Sequence, residues 1–173
     1  MAEYTYEFIA SYTVTTAENN IVFSSIPQTY TDLVIFGKSR ITSSASQCNI
    51  RFNGDSSAIY DSQALSNNGG SGLIASRETN RSQIDGAGAI GSSNSTGWFS
   101  PNEFQIFNYS DSNKYKTTFT FGMNSDNGNT LDYAGMAVGI WESTAAITSI
   151  TFVTNGTAFA VGSGWSIYGI KGK

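Results

Sequence analysis

The chain has 173 residues, 39% of them hydrophobic and 13% aromatic, with only 13% charged and a net charge of -4 at pH 7. That length bounds one domain with enough core to fold without staples, and the apolar content excludes a disordered chain. Nine basic residues are scattered among thirteen acidic ones, which excludes the phosphate-neutralising stripe of a nucleic-acid binder.

In chain order, the first residues, Met1-Ala-Glu-Tyr-Thr-Tyr-Glu7, lack the basic start and apolar run of a secretory signal, so synthesis and folding in a reducing cytoplasm are expected. Tyr4, Tyr6 and Phe8 fall on one face of a first strand. Pro27, within Ser25 to Tyr30, marks a connection because it cannot donate to a ladder. Asp32-Leu-Val-Ile-Phe-Gly37 reads as a central strand covered on both faces. Cys48 has no second cysteine to pair with and reads as a small buried hydrophobe. Asn53-Gly54-Asp55 and Asn155-Gly156 are hairpin-type turn signals.

The stretch from about 62 to 97 is rich in Gly, Ser and Asn, above all at 67–72 and 86–97. It reads as a variable region of long loops or weak edge strands. Beyond it, Phe104, Ile106 and Asn108 alternate with Gln105, Phe107 and Tyr109, the pattern of a strand covered on both faces. Tyr115, Thr117, Phe119, Phe121 and Met123 alternate with Lys116, Thr118, Thr120 and Gly122. The apolar set is expected to face the core, so that Phe119→Ala or Phe121→Ala would cost roughly 3–5 kcal/mol. Ser125 to Asn129 is a polar loop. Leu131 to Trp141 reads as a strand rather than a helix, because Gly135 and Gly139 disfavour a helix. Ile150 and Phe152 point to the core, and Ser163 to Ile170 closes a sheet. The aromatics, including Trp98, Phe99, Trp141 and Trp165, are expected to be mainly core. The expected fold is one all-β domain over 1–173, an antiparallel β-sandwich, jelly-roll-like, of about eight to ten strands.

Candidate chemistry is sparse. The absence of histidine excludes Ser–His–Asp and Cys–His constellations and the commonest zinc ligands. Gly86-Ala-Gly88-Ala-Ile-Gly91 matches a dinucleotide fingerprint in letters only, without the strand and helix that should flank it; a flexible loop explains it better. Glu103, Asp111, Asp126, Asp132 and Glu142 are candidate acids by residue type alone. Asp126-Asn-Gly-Asn129 with Asp132 could offer oxygen ligands to calcium, but at spacing that fits an Asx-rich turn better than an EF-hand. The sequons at Asn94, Asn108 and Asn155 carry little weight without a secretory signal. No catalytic, cofactor or metal residue is assigned. No run is long enough to cross a bilayer as a helix.

Seven runs are familiar in combination: Tyr6-Glu-Phe-Ile-Ala-Ser-Tyr-Thr-Val14, Ile21-Val-Phe-Ser-Ser-Ile-Pro-Gln-Thr-Tyr-Thr-Asp-Leu33, Arg51-Phe-Asn-Gly-Asp55, Phe107-Asn-Tyr-Ser-Asp-Ser-Asn-Lys114, Ala134-Gly135, Gly139-Ile-Trp-Glu-Ser-Thr-Ala-Ala-Ile-Thr-Ser-Ile-Thr-Phe152 and Ile167-Tyr-Gly-Ile170. In this order the chain resembles small virion structural proteins of tailed bacteriophages. The resemblance implies a non-enzymatic role on the virion. One form is a capsid decoration, or cement, protein that binds major capsid subunits and itself, as a homotrimer. The alternative is a tail or head fibre protein that works with other fibre proteins and adheres to host surface glycan. Neither involves nucleic acid, membrane or a cofactor.

Overall fold

The computed structural model describes residues 6–43, 46–68, 72–89, 97–124 and 133–171. Among them run twelve strands: β1 (Tyr6–Thr13), β2 (Asn20–Phe23), β3 (Asp32–Ser39), β4 (Ser46–Phe52), β5 (Tyr60–Asn68), β6 (Leu73–Arg81), β7 (Ile84–Ala89), β8 (Ser100–Phe107), β9 (Lys116–Asn124), β10 (Tyr133–Trp141), β11 (Ile150–Val153) and β12 (Gly164–Ile170). They form an eight-stranded sheet, β1-β12-β3-β8-β9-β10-β5-β6, and a four-stranded sheet, β2-β11-β4-β7, antiparallel throughout. This is an all-β sandwich.

The core lies between the sheets. Leu33 and Ile35 of β3, Phe104 and Ile106 of β8, and Trp165 and Ile167 of β12 meet Ile50 and Phe52 of β4 and Ile150 and Phe152 of β11. Phe152 is its centre, with ring contacts to Phe23 at 6.1 Å, Phe104 at 5.4 Å and Trp165 at 4.7 Å. Cys48 is fully buried here, and burial pushes its thiol far above the usual range, which leaves it an inert hydrophobe.

Several expectations change. Among the described residues the strands number twelve rather than eight to ten, because the Gly/Ser/Asn-rich stretch at 62–97 supplies most of β5 and all of β6 and β7. β6 and β7 are edge strands of their sheets, one of the two forms expected for this stretch. Gly86 and Gly88 belong to β7, neither to a flexible loop nor to a phosphate loop. A Cβ on Gly86 would lie 1.9 Å from the Cys48 carbonyl oxygen, so glycine is required by close approach. The turn signals form turns without hairpins. Asn53 and Gly54 have φ of 52° and 67°, and the Asp55 N–H donates to the Phe52 carbonyl at 2.9 Å, but the chain then leaves one sheet for the other. β11 and β12, on either side of Asn155-Gly156, likewise belong to different sheets.

The orientation of β9 is the reverse of that expected. Lys116, Thr118, Thr120 and Gly122 face inward and are buried, while Thr117, Phe121 and Met123 are exposed and Phe119 is half-buried. The cause is the strand opposite: β9 and β10 pack on β7, and the gap is narrow. A Cβ on Gly139 would sit 2.4 Å from Ile84 and 2.8 Å from the Thr118 hydroxyl. Only small side chains fit there, so the large apolar ones are turned out. Phe119 and Phe121 therefore lose the rationale for a core-sized penalty. β3 and β8 are also less covered than expected. Val34 is buried, but Phe36 is exposed, and Gln105 and Phe107 are half-buried.

Candidate interaction surface

At one pole of the sandwich the runs that carry the phage resemblance interlock. Asn53, at the turn after β4, accepts at Oδ1 from the backbone N–H groups of Thr148 (2.8 Å) and Ser149 (3.1 Å) and donates from Nδ2 to the Ala146 carbonyl at 2.9 Å. Gln28 donates to the carbonyls of Ile26 and Ile147 at 2.8 and 2.9 Å, and the Tyr109 hydroxyl donates to the Pro27 carbonyl. Asp32 accepts from the Asn108 N–H at 2.7 Å. Asp55 accepts from Ser57 and, at 3.2 Å, from the Trp141 indole N–H. The Ser57 hydroxyl and N–H, more than the Trp141 bond, hold its carboxyl below the usual range. Lys116, fully buried, donates to the carbonyls of Asp111 (2.6 Å), Lys114 (2.6 Å) and Thr144 (3.1 Å). These groups satisfy one another and hold loops together; they account for the motifs as a clasp between the sheets.

The candidate acids sit on separate elements. Glu103 lies on the outward face of β8 and accepts from Gln105 at 2.9 Å. Asp111 caps the loop before β9, accepting from the Asn113 N–H at 2.8 Å. Glu142 follows β10, its N–H bonded to the Ile59 carbonyl. Asp126 and Asp132, and with them the calcium-loop reading, lie outside the described residues, as do Tyr4, Asn94 and Gly91. Among the described residues no group of three or more His, Cys, Asp or Glu side chains could hold a metal, and no helix is long and apolar enough to cross a membrane.

One acid has no evident structural role. Asp85 of β7 has a buried Oδ1 without a hydrogen-bond partner, and desolvation raises its pKa despite the nearby Arg81. A carboxyl whose folded pKa exceeds its unfolded value destabilises the fold increasingly as pH rises above the unfolded pKa, with the full penalty reached above the folded pKa. Asp85→Asn is therefore expected to raise the melting temperature at pH 7, with the gain vanishing once the pH falls below the unfolded carboxylate pKa. Thermal melts across that range check this; an equal shift at all pH values would refute it.

The outward face of the eight-stranded sheet is unusual for its exposed apolar residues, which form two fields. The first crosses β1, β12 and β3: Phe8 and Phe36 each meet Tyr168 edge-to-face, at 5.8 and 6.0 Å, and Phe8 is 61% exposed. On the other side of β1, Glu7 accepts from Lys171 at 2.5 Å and from the Tyr30 hydroxyl at 3.0 Å. The second field crosses β9, β10, β5 and β6. Cross-strand register aligns Phe121 with Met136 and Leu65, and Phe119 with Val138 and Gln63. Glu103 and Gln105 on β8 separate the fields.

Two hollows indent the second field. One, of about 620 Å³, lies between Phe107, Phe119, Ile140 and Arg77, floored at Ser62, Thr118 and Gly139. The other, of about 520 Å³, lies between Phe119, Met136, Leu65 and Ala75. Sequence reasoning missed these surfaces because it assigned the aromatics mainly to the core. Trp141 and Trp165 are indeed buried, but Tyr6, Phe8 and Trp98 are exposed. The signal available was β9 itself, whose polar set contains only small residues and one lysine. No protein-family model matches the chain, and no curated protein matches it either.

Proposed function

We propose that the protein is a structural protein of a phage virion, a capsid decoration protein that binds and stabilises the major capsid lattice, acts as a homotrimer and performs no catalysis. The observation that carries this reading is the pair of bare apolar fields on one sheet face, a surface suited to attachment. The ordered sequence resemblance supports it. So does a jelly-roll-like reading of the two sheets, β2-β11-β4-β7 against β1-β12-β3-β8-β9-β10-β5-β6, since jelly rolls occur in viral capsid proteins.

In this reading the first field docks on the lattice. β1 is an edge strand of its sheet and can extend a neighbour's sheet by strand addition, with Phe8, Phe36 and Tyr168 as anchors. Binding to the assembled lattice alone stabilises it by mass action. Purified protein is expected to co-sediment with empty capsids, and Phe8→Asp to weaken capture by at least about tenfold with folding intact. Wild-type protein that ignores capsids but binds host cells would instead favour the fibre reading. One feature lends that reading weight: the larger hollow combines Phe107 and Phe119 with Asp61, Gln63 and Arg77, a mixture of aromatic and polar groups suited to a glycan. Copy number separates the two, with hundreds per particle for a shell protein and a few to a few dozen for an appendage.

A further inference from the structure

We infer that β1 is a hinged strand, which opens from the edge of the eight-stranded sheet as a unit while the rest of the sandwich stays folded. This goes beyond the virion reading and does not depend on it. None of the eight residues of β1 is buried, and Ile9 and Ala10 are only partly covered by the core. Among the described strands β1 packs along β12 alone. Its ladder is interrupted as well. The register slips between Phe8 and Ala10, so a bulge divides β1 into two short halves. Few buried contacts and a ladder open to solvent place an element at the low end of local stability.

What β1 leaves behind is complete without it. β12 pairs along its whole length with β3, and its Trp165 and Ile167 are buried between the sheets. No β1 residue belongs to the set of fully buried core side chains. Opening therefore makes β12 the new edge and removes no side chain from the centre of the core. The opened strand is an arm of eight residues, about 27 Å long when extended. Strand addition to another sheet requires an extended segment, and the opened arm is one.

The hinge and the latches are specific residues. Val14 is 1% exposed. Its N–H donates to the Ser163 carbonyl at 2.8 Å, and its carbonyl accepts from the Gly162 N–H at 2.9 Å. Glu18 exchanges two backbone bonds with Phe159, at 2.7 and 3.2 Å. The chain beyond Thr13 is thus anchored, and the motion stops at Val14. Three side-chain latches supplement the ladder. Glu7 accepts from Lys171 and from the Tyr30 hydroxyl, the Tyr12 hydroxyl donates to Glu18 at 2.5 Å, and Phe8 meets Tyr168 edge-to-face. The Glu7–Lys171 and Tyr12–Glu18 contacts are exposed, where water competes for both partners and each holds weakly.

Amide hydrogen exchange of the full chain, followed residue by residue by NMR, tests this without capsids. The β1 amides bonded to β12 are expected to exchange on the order of 100-fold faster than the β12 amides bonded to β3. Glu7→Ala should speed β1 exchange roughly two- to fivefold and leave the β12–β3 ladder unchanged. Ser11 and Ser166 are register partners, close enough for a disulfide. In Ser11→Cys/Ser166→Cys the oxidised tether is expected to slow the β1 amides toward the rate of the β12–β3 ladder, and reduction to restore the difference. Wild-type β1 amides as slow as those between β12 and β3 overturn the inference. So does β1 exchange that the tether leaves unchanged, or a Glu7→Ala effect of equal size on both ladders.

Discussion

Phe152→Ala is expected to lower folding stability by about 4–5 kcal/mol, the largest effect of any single substitution considered for this chain. Phe152 is fully buried at the middle of β11, the strand between β2 and β4. Its ring stacks on Trp165 of the opposite sheet, 4.7 Å between centroids and 14° between planes, and meets Phe104 of β8 and Phe23 of β2 edge-on. Removing it loses the transfer energy of the ring and leaves a cavity bounded by both sheets. Each aromatic pair adds roughly 0.5–1.5 kcal/mol beyond area. Denaturant unfolding followed by tryptophan fluorescence reads the loss, and Trp165 reports the site directly. A loss under about 2 kcal/mol would mean that the sheets close over the gap, a collapse that dense packing argues against.

Lys116→Met is expected to cost about 3 kcal/mol, since each buried carbonyl left without a donor costs roughly 1–3 kcal/mol. Three carbonyls share the Lys116 ammonium, and methionine keeps the stem while removing every donor. Burial lowers the lysine pKa, with Asp111 opposing the shift. Lys116→Arg should not rescue the loss, because a planar guanidinium cannot serve three carbonyls gathered around a tetrahedral ammonium. Urea unfolding of the two variants checks the prediction. If arginine restores wild-type stability, charge matters more than the geometry of the clasp.

The fold class was legible because alternation is local. The order of Phe104 and Ile106 in β8 and of Ile150 and Phe152 in β11 marks their buried faces, and Asn53-Gly54 takes the positive φ its residues tolerate. The glycine-bearing run at 133–141 is a strand, as its composition suggested. The Gly/Ser/Asn-rich stretch was open between loops and edge strands, and β6 and β7 are edge strands; β6 is exposed along most of its length, so its sequence carries little alternation to decide between the two.

The candidate surface was hidden by an ambiguity in the alternation of β9. Period two separates Phe119, Phe121 and Met123 from Thr118, Thr120 and Gly122, but names neither set as buried. The choice depends on what lies opposite, and that is β7, which comes close enough to exclude large side chains. The inward hydroxyls of Thr118 and Thr120 have no hydrogen-bond partner, so this arrangement carries a polar cost as well.

Local order along the chain thus accounts for an all-β domain, for most strand positions and for the burial of Cys48, because each follows from residues a few places apart. Strand pairing across two sheets, the inversion of β9 and the bare apolar face follow from contacts between segments distant in sequence. Those contacts decide which of two equally regular faces water reaches.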